Sequence, residues 1–152
     1  MSPRVARTRA ASAVEPPVGP AEGFRQVRAA HRSELAEDYV ELIADLIDAH
    51  GTARATDLAK HLGITQASVA STVCRLQRDG LIDHRPYRSI FLTEAGRDLA
   101  ETARRRHRLV VAFLRALGLS KETAERDAEG IEHHASEKTL KAFARFIEAK
   151  DG

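Results

Sequence analysis

Tryptophan is absent, cysteine occurs once, and the one methionine is the first residue. A single cysteine, Cys74, excludes an intramolecular disulfide and any Cys-rich zinc or iron–sulfur centre. Its reading is a partly buried small residue, with a redox sensor as the sharper alternative. No apolar run approaches the roughly 20 residues that span a bilayer. The N-terminus has several arginines but no apolar segment of the secretory type, so a reducing, cytoplasmic setting is expected. An Arg-rich, acid-poor start also matches an organellar transit peptide, on composition alone. No repeat of 20–50 residues is visible.

What is present is a chain of 152 residues, 43% hydrophobic and 30% charged. That supports one compact domain, or a small domain with an accessory one. The formal net charge is only +2, which looks unfavourable for a nucleic-acid partner. By segment the picture changes. Residues 1–32 carry +4, residues 33–53 carry −6, residues 54–108 carry +5 and residues 109–152 carry −1. Each block asks for its own explanation.

Residues 1–21 hold four of the five prolines and no apolar period, and are expected to form a disordered basic tail. A helix is predicted from about Phe24 to His50, with Tyr39, Val40, Leu42, Ile43, Leu46 and Ile47 on one buried face and Gly51 as its stop. Thr56 is expected to cap a short helix to Leu62. Thr65 is expected to cap the next, Gln66 to Arg78, with Val69, Val73 and Leu76 inward. Two short strands follow, Leu81–His84 and Ser89–Leu92, around a basic tip at Arg85–Arg88. Pro86 keeps them from being long. Thr93, Ser120 and Ser136 are expected to cap three more helices, about Glu94–Leu117, Lys121–His134 and Glu137–Ala149. The expected fold is mostly α: a winged helix-turn-helix over residues 22–93 with a two-stranded wing, then a helical region over residues 94–152.

Ala55–Ile82 supplies what a helix-turn-helix needs: two short amphipathic helices, a glycine in the turn, and the small Ala59 where the helices cross. On the second helix Thr65, Gln66, Ala67, Ser68 and Ser71 offer short groups near the N-terminus. Arg75 and Arg78 lie further along, and Arg88 sits at the tip of the wing. Together these form the candidate surface for double-stranded DNA, reading bases in the major groove and holding phosphates. The bland alternative is a packing hairpin with solvated charges. The basic wing that follows directly favours DNA.

A second constellation is acidic. Asp38 and Glu41 lie three apart on one helical face. Glu129, Glu132 and His133 fall at i, i+3 and i+4, again one face. His107, ahead of Leu109-Val110-Val111, offers a further nitrogen. Carboxylates and imidazoles in an otherwise apolar setting are costly unless paired or metal-bound. Oxygen and nitrogen donors without thiolate suit Mn(II), Fe(II) or Zn(II). The competing readings are a solvated acidic face for Asp38 and Glu41 and an ordinary histidine at 107. His31, His50, His61 and His84 receive only the ordinary reading.

Four separated motifs, EDYVELI (Glu37–Ile43), the helix-turn-helix, RHRLVVAFL (Arg106–Leu114) and DAEGIEHHAS (Asp127–Ser136), together resemble the manganese transport regulators of the diphtheria-toxin-repressor family. The likeness covers about residues 22–148, and the extension GFRQVRAAHRSELAEDY resembles the proteobacterial branch. It implies a cytoplasmic homodimer that represses from palindromic promoter DNA of manganese-transport genes when Mn(II) is bound. It implies Asp38, Glu41, His107, Glu129, Glu132 and His133 as ligands of what resembles a two-metal site, hence two Mn(II) per subunit. Iron-sensing relatives place Met and Cys where this chain has Asp38 and Glu129, so the oxygen-rich set favours manganese. Fe(II) or Zn(II) remain candidates in vitro. No SH3-like third domain, no membrane and no organic effector are expected. The alternatives are an iron-responsive repressor of the same family, a winged helix answering a small organic ligand, and a carboxylate/His di-metal hydrolase. The last finds no HExxH run, nucleophile elbow or Gly-rich phosphate loop.

Overall fold

The computed structural model describes residues 19–152. Its elements run α1 (Pro20–His50), α2 (Ala55–Leu62), α3 (Gln66–Arg78), β1 (Ile82–Asp83), β2 (Phe91–Leu92), α4 (Glu94–Ala116), α5 (Lys121–His134) and α6 (Glu137–Asp151). This is the expected mostly helical architecture with a two-stranded wing. Among the described residues there is no SH3-like barrel.

Helix starts follow local chemistry. The hydroxyls of Thr65, Thr93, Ser120 and Ser136 each accept the backbone N–H three residues on, at Ser68, Gly96, Thr123 and Thr139. Each satisfies a donor that the first helical turn leaves free. Two starts differ from expectation. α1 begins at Pro20, four residues before Phe24. Proline suits that position because its missing N–H would have no partner there. The expected tail over 1–21 therefore gives way to helix at Pro20 and Ala21, and residues 1–18 lie outside those described. In α2, Thr56 lies inside the helix. The start is held instead by Asp57, whose carboxylate accepts the Arg54 N–H at 3.1 Å.

The wing is shorter than its sequence pattern. Ile82 pairs with Leu92 and Asp83 with Phe91, antiparallel, and an isolated bridge joins Ala53 to Ile90. At the tip, Tyr87 adopts φ 61 and is fully exposed.

Two apolar cores form. The first takes Tyr39, Val40, Ile43 and Leu46 of α1, Leu58 and Ala59 of α2, Val69, Val73 and Leu76 of α3, and Ile82, Ile90, Leu92 and Ala100. The second takes Val110 and Leu114 of α4, Ala124 and Ala128 of α5 and Leu140 of α6. Phe113 stacks on Phe143 with ring centroids 3.9 Å apart. α4 belongs to both cores. It meets the wing at Gly96, where an added Cβ would lie 2.0 Å from the Leu81 carbonyl oxygen. That approach is locked by Thr93, whose hydroxyl donates to the Gly80 carbonyl at 2.6 Å.

Candidate metal centre and nucleic-acid interface

α1, α4 and α5 bring their acidic and imidazole side chains to one place between the two cores. The centre is Glu132, whose side chain is only 3% exposed. One of its oxygens lies 2.7 Å from His107 Nδ1. The other lies 3.5 Å from His133 Nε2. Two donor groups result. Glu34, Asp38 and His133 form one, and His107, Glu129 and Glu132 form the other; within each, the donor atoms lie within 4.8 Å of one another.

Five of the six residues picked from sequence thus fall into these groups. The sixth, Glu41, belongs to neither but lies in the field of both. Burial and the nearby carboxylates of Glu132, Glu129 and Asp38 push its carboxyl up to about 7, against a smaller opposing pull from His133. Burial also raises Glu132, with His107 and His133 opposing. The surplus of negative charge has an answer in the histidines. Hydrogen bonds that His133 donates to Asp38 and Glu37 raise its pKa to about 10. Burial disfavours charge on His107, but Glu125 and Glu132 outweigh it and raise its pKa. Both histidines are thereby biased toward the protonated, positively charged form. Carboxylate oxygens with imidazole nitrogens and no sulfur form a donor set that fits a divalent ion such as Mn(II).

Sequence reasoning missed three acids. Glu34 lies one turn before Asp38. Glu37 is buried, 2.5 Å from His133 Nδ1 and 3.4 Å from Arg106, which also reaches Glu137 of α6 at 3.2 Å. Glu125 lies 2.7 Å from His107 Nε2. The available signal for Glu34 and Glu125 was spacing: each precedes a chosen acid, Asp38 or Glu129, by four residues, hence on the same helical face. Arg104 pairs with Asp45 and Asp48, tying α4 to the acidic side of α1.

The second candidate surface lies on α3 and the wing. Gly63, at φ 65, makes the turn between α2 and α3, and the Ile64 N–H returns to the Ala59 carbonyl at 3.2 Å. Gln66, Ala67, Ser68, Ser71, Arg78 and Arg88 are exposed. Thr65 is also exposed, but its hydroxyl is engaged with Ser68 as the helix cap. Arg75 stands half-buried at the rim facing α1, beside Arg32, Ser33 and Ala36. Cys74 is exposed, correcting the expectation of partial burial. It lies three residues from Ser71 and four from Arg78, so helical spacing turns it outward with them.

Comparison with known proteins accords with this geometry. Residues 31–90 match the iron dependent repressor N-terminal DNA binding domain, and residues 93–150 match the iron dependent repressor metal binding and dimerisation domain. The transcriptional regulator MntR of Escherichia coli O157:H7 is 55% identical over 127 residues, 84% of this chain and 82% of that protein. The chain belongs to the iron-dependent repressor family, in its MntR group. A Geobacillus kaustophilus MntR is 42% identical over 100 residues, 66% of this chain and 71% of that one. Among solved structures, a manganese-dependent transcriptional repressor in complex with manganese matches with TM-score 0.66 at 27% identity. It covers 74% of this chain and 52% of its own. T. acidophilum IdeR matches with TM-score 0.65 at 26% identity, over 74% and 53%. The match spans about half the length of those solved chains. As a member of the MntR group, the chain is a metal-dependent transcriptional regulator with an N-terminal DNA-binding domain. No helix among the described residues is long and apolar enough to cross a membrane.

Proposed function

We propose that this protein is a Mn(II)-activated repressor that binds palindromic promoter DNA of manganese-transport genes as a homodimer. One observation carries the reading: the donor groups joined by Glu132 draw on α1 of the DNA-binding unit and on α4 and α5 of the helical unit. Glu34, Asp38 and His133 would hold one ion and His107, Glu129 and Glu132 the second, with the Glu41 carboxylate, in the field of both, as the remaining ligand. Bound there, Mn(II) supplies positive charge to a site where carboxylates otherwise repel. Without that charge, Asp38 and Glu41 on α1 face Glu129 and Glu132 on α5, and the repulsion loosens α1 from the helical unit. With it, the same side chains tie the units together and narrow the spacing of two α3 helices toward successive major grooves. The exposed apolar side chains Leu117, Leu119 and Phe146 around α4 and α6 support a second copy as the partner. The reading makes the chain a switch and not an enzyme, acting in the cytoplasm.

Metal and DNA must then strengthen each other's binding by the same factor. The test is anaerobic titration with Mn(II), Fe(II) and Zn(II) while binding to a manganese-transporter promoter fragment is followed. Mn(II) is expected to tighten DNA binding, and DNA to tighten Mn(II) binding equally. Equal Mn(II) affinity with and without DNA would refute the coupling. Activation by Fe(II) alone would turn the reading to iron.

A further inference from the structure

Each histidine of the centre is gripped on both ring nitrogens, and the two grips are of different kinds. The nitrogens of an imidazole point apart, so one ion binds only one of them. On His107, Nδ1 faces Glu132 at 2.7 Å and Glu129 at 3.8 Å, while Nε2 faces Glu125 at 2.7 Å. On His133 the sides are exchanged: Nε2 faces Asp38 at 3.1 Å and Glu132 at 3.5 Å, while Nδ1 faces Glu37 at 2.5 Å. Glu132 marks the inner side of both rings. Glu37 and Glu125 stand outside. Glu37 is already paired with the Arg106 guanidinium, which leaves it poorly suited to a cation. Glu125 stands outside the donor group that contains His107.

From this placement we infer that Glu125 and Glu37 are positioning residues that accept the outer ring N–H, so that the metal-facing nitrogen is Nδ1 in His107 and Nε2 in His133. The inference rests on the metal-centre reading above. A carboxylate behind a ligating imidazole fixes its tautomer and ring angle and makes the inner nitrogen a better donor. Here the two carboxylates come from different helices. Glu125 lies one turn ahead of Glu129 on α5, and Glu37 immediately precedes Asp38 on α1. Each outer acid is therefore carried by the helix that also supplies an inner one. A shift of α1 or α5 would move an inner acid and its outer companion together. Arg106 adds a connection from Glu37 to Glu137 at the start of α6, so the orientation of His133 is braced from the helical unit.

The experiment loads the full-length protein, carrying nitrogen-labelled histidine, with a spin-active cadmium isotope and reads metal–nitrogen coupling by NMR. Signals are assigned with His107→Gln and His133→Gln. Coupling to Nδ1 of His107 and Nε2 of His133 is expected, with the other nitrogen of each ring protonated. Coupling to Nε2 of His107, or to Nδ1 of His133, overturns the inference while leaving the metal centre standing. Coupling to neither ring fails the metal-centre reading and takes this inference with it. A second measurement uses Glu125→Ala. Its Mn(II) affinity, followed by electron paramagnetic resonance, is expected to fall about tenfold or more. DNA binding at saturating Mn(II) should be retained, and Glu125→Gln, whose carbonyl can still accept, should lie between. Unchanged Mn(II) affinity together with an unchanged His107 spectrum in Glu125→Ala would remove Glu125 from this role.

Discussion

The most direct physical test of the centre is to remove one negative charge while keeping its shape. Glu41 is the position to choose, because burial and the carboxylates of Glu132, Glu129 and Asp38 raise its carboxyl from 4.5 to about 7. A carboxyl that is harder to ionise in the folded chain than in the unfolded one favours folding most below its unfolded pKa. That contribution is lost as pH rises through the folded value. The metal-free protein should therefore lose stability between about pH 4.5 and pH 7 on account of this group. Glu41→Gln mimics the protonated form permanently. Each tenfold change in the ionisation equilibrium is worth about 1.4 kcal/mol, and solvent screening at a half-exposed site reduces the total to about 1–2 kcal/mol. For a chain of this size that is about 3–6 °C in Tm. The assay is thermal unfolding in excess chelator, at fixed protein concentration, at pH 8 and pH 5. The variant should melt higher than the parent at pH 8, with most of that gain gone at pH 5. Excess Mn(II) at pH 8 should reverse the order, because the charge that destabilises the empty site is the charge that holds the ion. No gain at pH 8, or the same gain at both values, would refute the electrostatic account.

Three further outcomes are expected. Gly96→Ala should destabilise the protein by about 1–3 kcal/mol in denaturant unfolding, because its Cβ would meet the Leu81 carbonyl oxygen at 2.0 Å; a neutral result would mean that α4 and the wing separate freely. Glu34→Ala should weaken Mn(II) binding about tenfold by titration, since its carboxylate shares a donor group with Asp38 and His133; parental affinity would place Glu34 outside the site. Arg78→Ala should weaken DNA binding and reduce the slope of log affinity against log salt by about one if Arg78 holds a phosphate. An unchanged slope would exclude that contact.

Much of the fold was legible because helix starts depend on short-range chemistry. Thr65, Thr93, Ser120 and Ser136 each needed only a hydroxyl and an N–H three residues away. The start of α1 was misjudged because Pro20 reads as a breaker in sequence yet fits a first turn. At α2 the helix starts at Ala55, one residue before Thr56, and the Asp57 carboxylate inside the first turn reaches back to the Arg54 N–H. The site was legible to the extent that it is helical: Glu129, Glu132 and His133 share a face whatever they touch. What spacing does not contain is which ring nitrogen meets which acid across two helices. Glu37 behind His133 and Glu125 behind His107 are facts of packing between α1, α4 and α5. Cys74 was misplaced for a related reason. It borders Val73 in sequence, but one residue is about 100° around a helix, enough to turn it from the core to the outer face.

α1 is one uninterrupted helix of 31 residues, about 46 Å long at 1.5 Å per residue. It carries Asp38 and Glu41 near its middle and packs into the DNA-binding core through Tyr39 to Leu46. A helix so continuous acts as a beam and not a hinge. From Asp38 to His50 is about 18 Å of beam, so a tilt of about 10° at the acidic cluster moves the far end by about 3 Å. That is comparable to the 3.4 Å rise of one base step along a DNA strand. Under the proposed function, small adjustments among a few carboxylates would arrive at the end of α1 that leads into α2 as displacements the size of a base step.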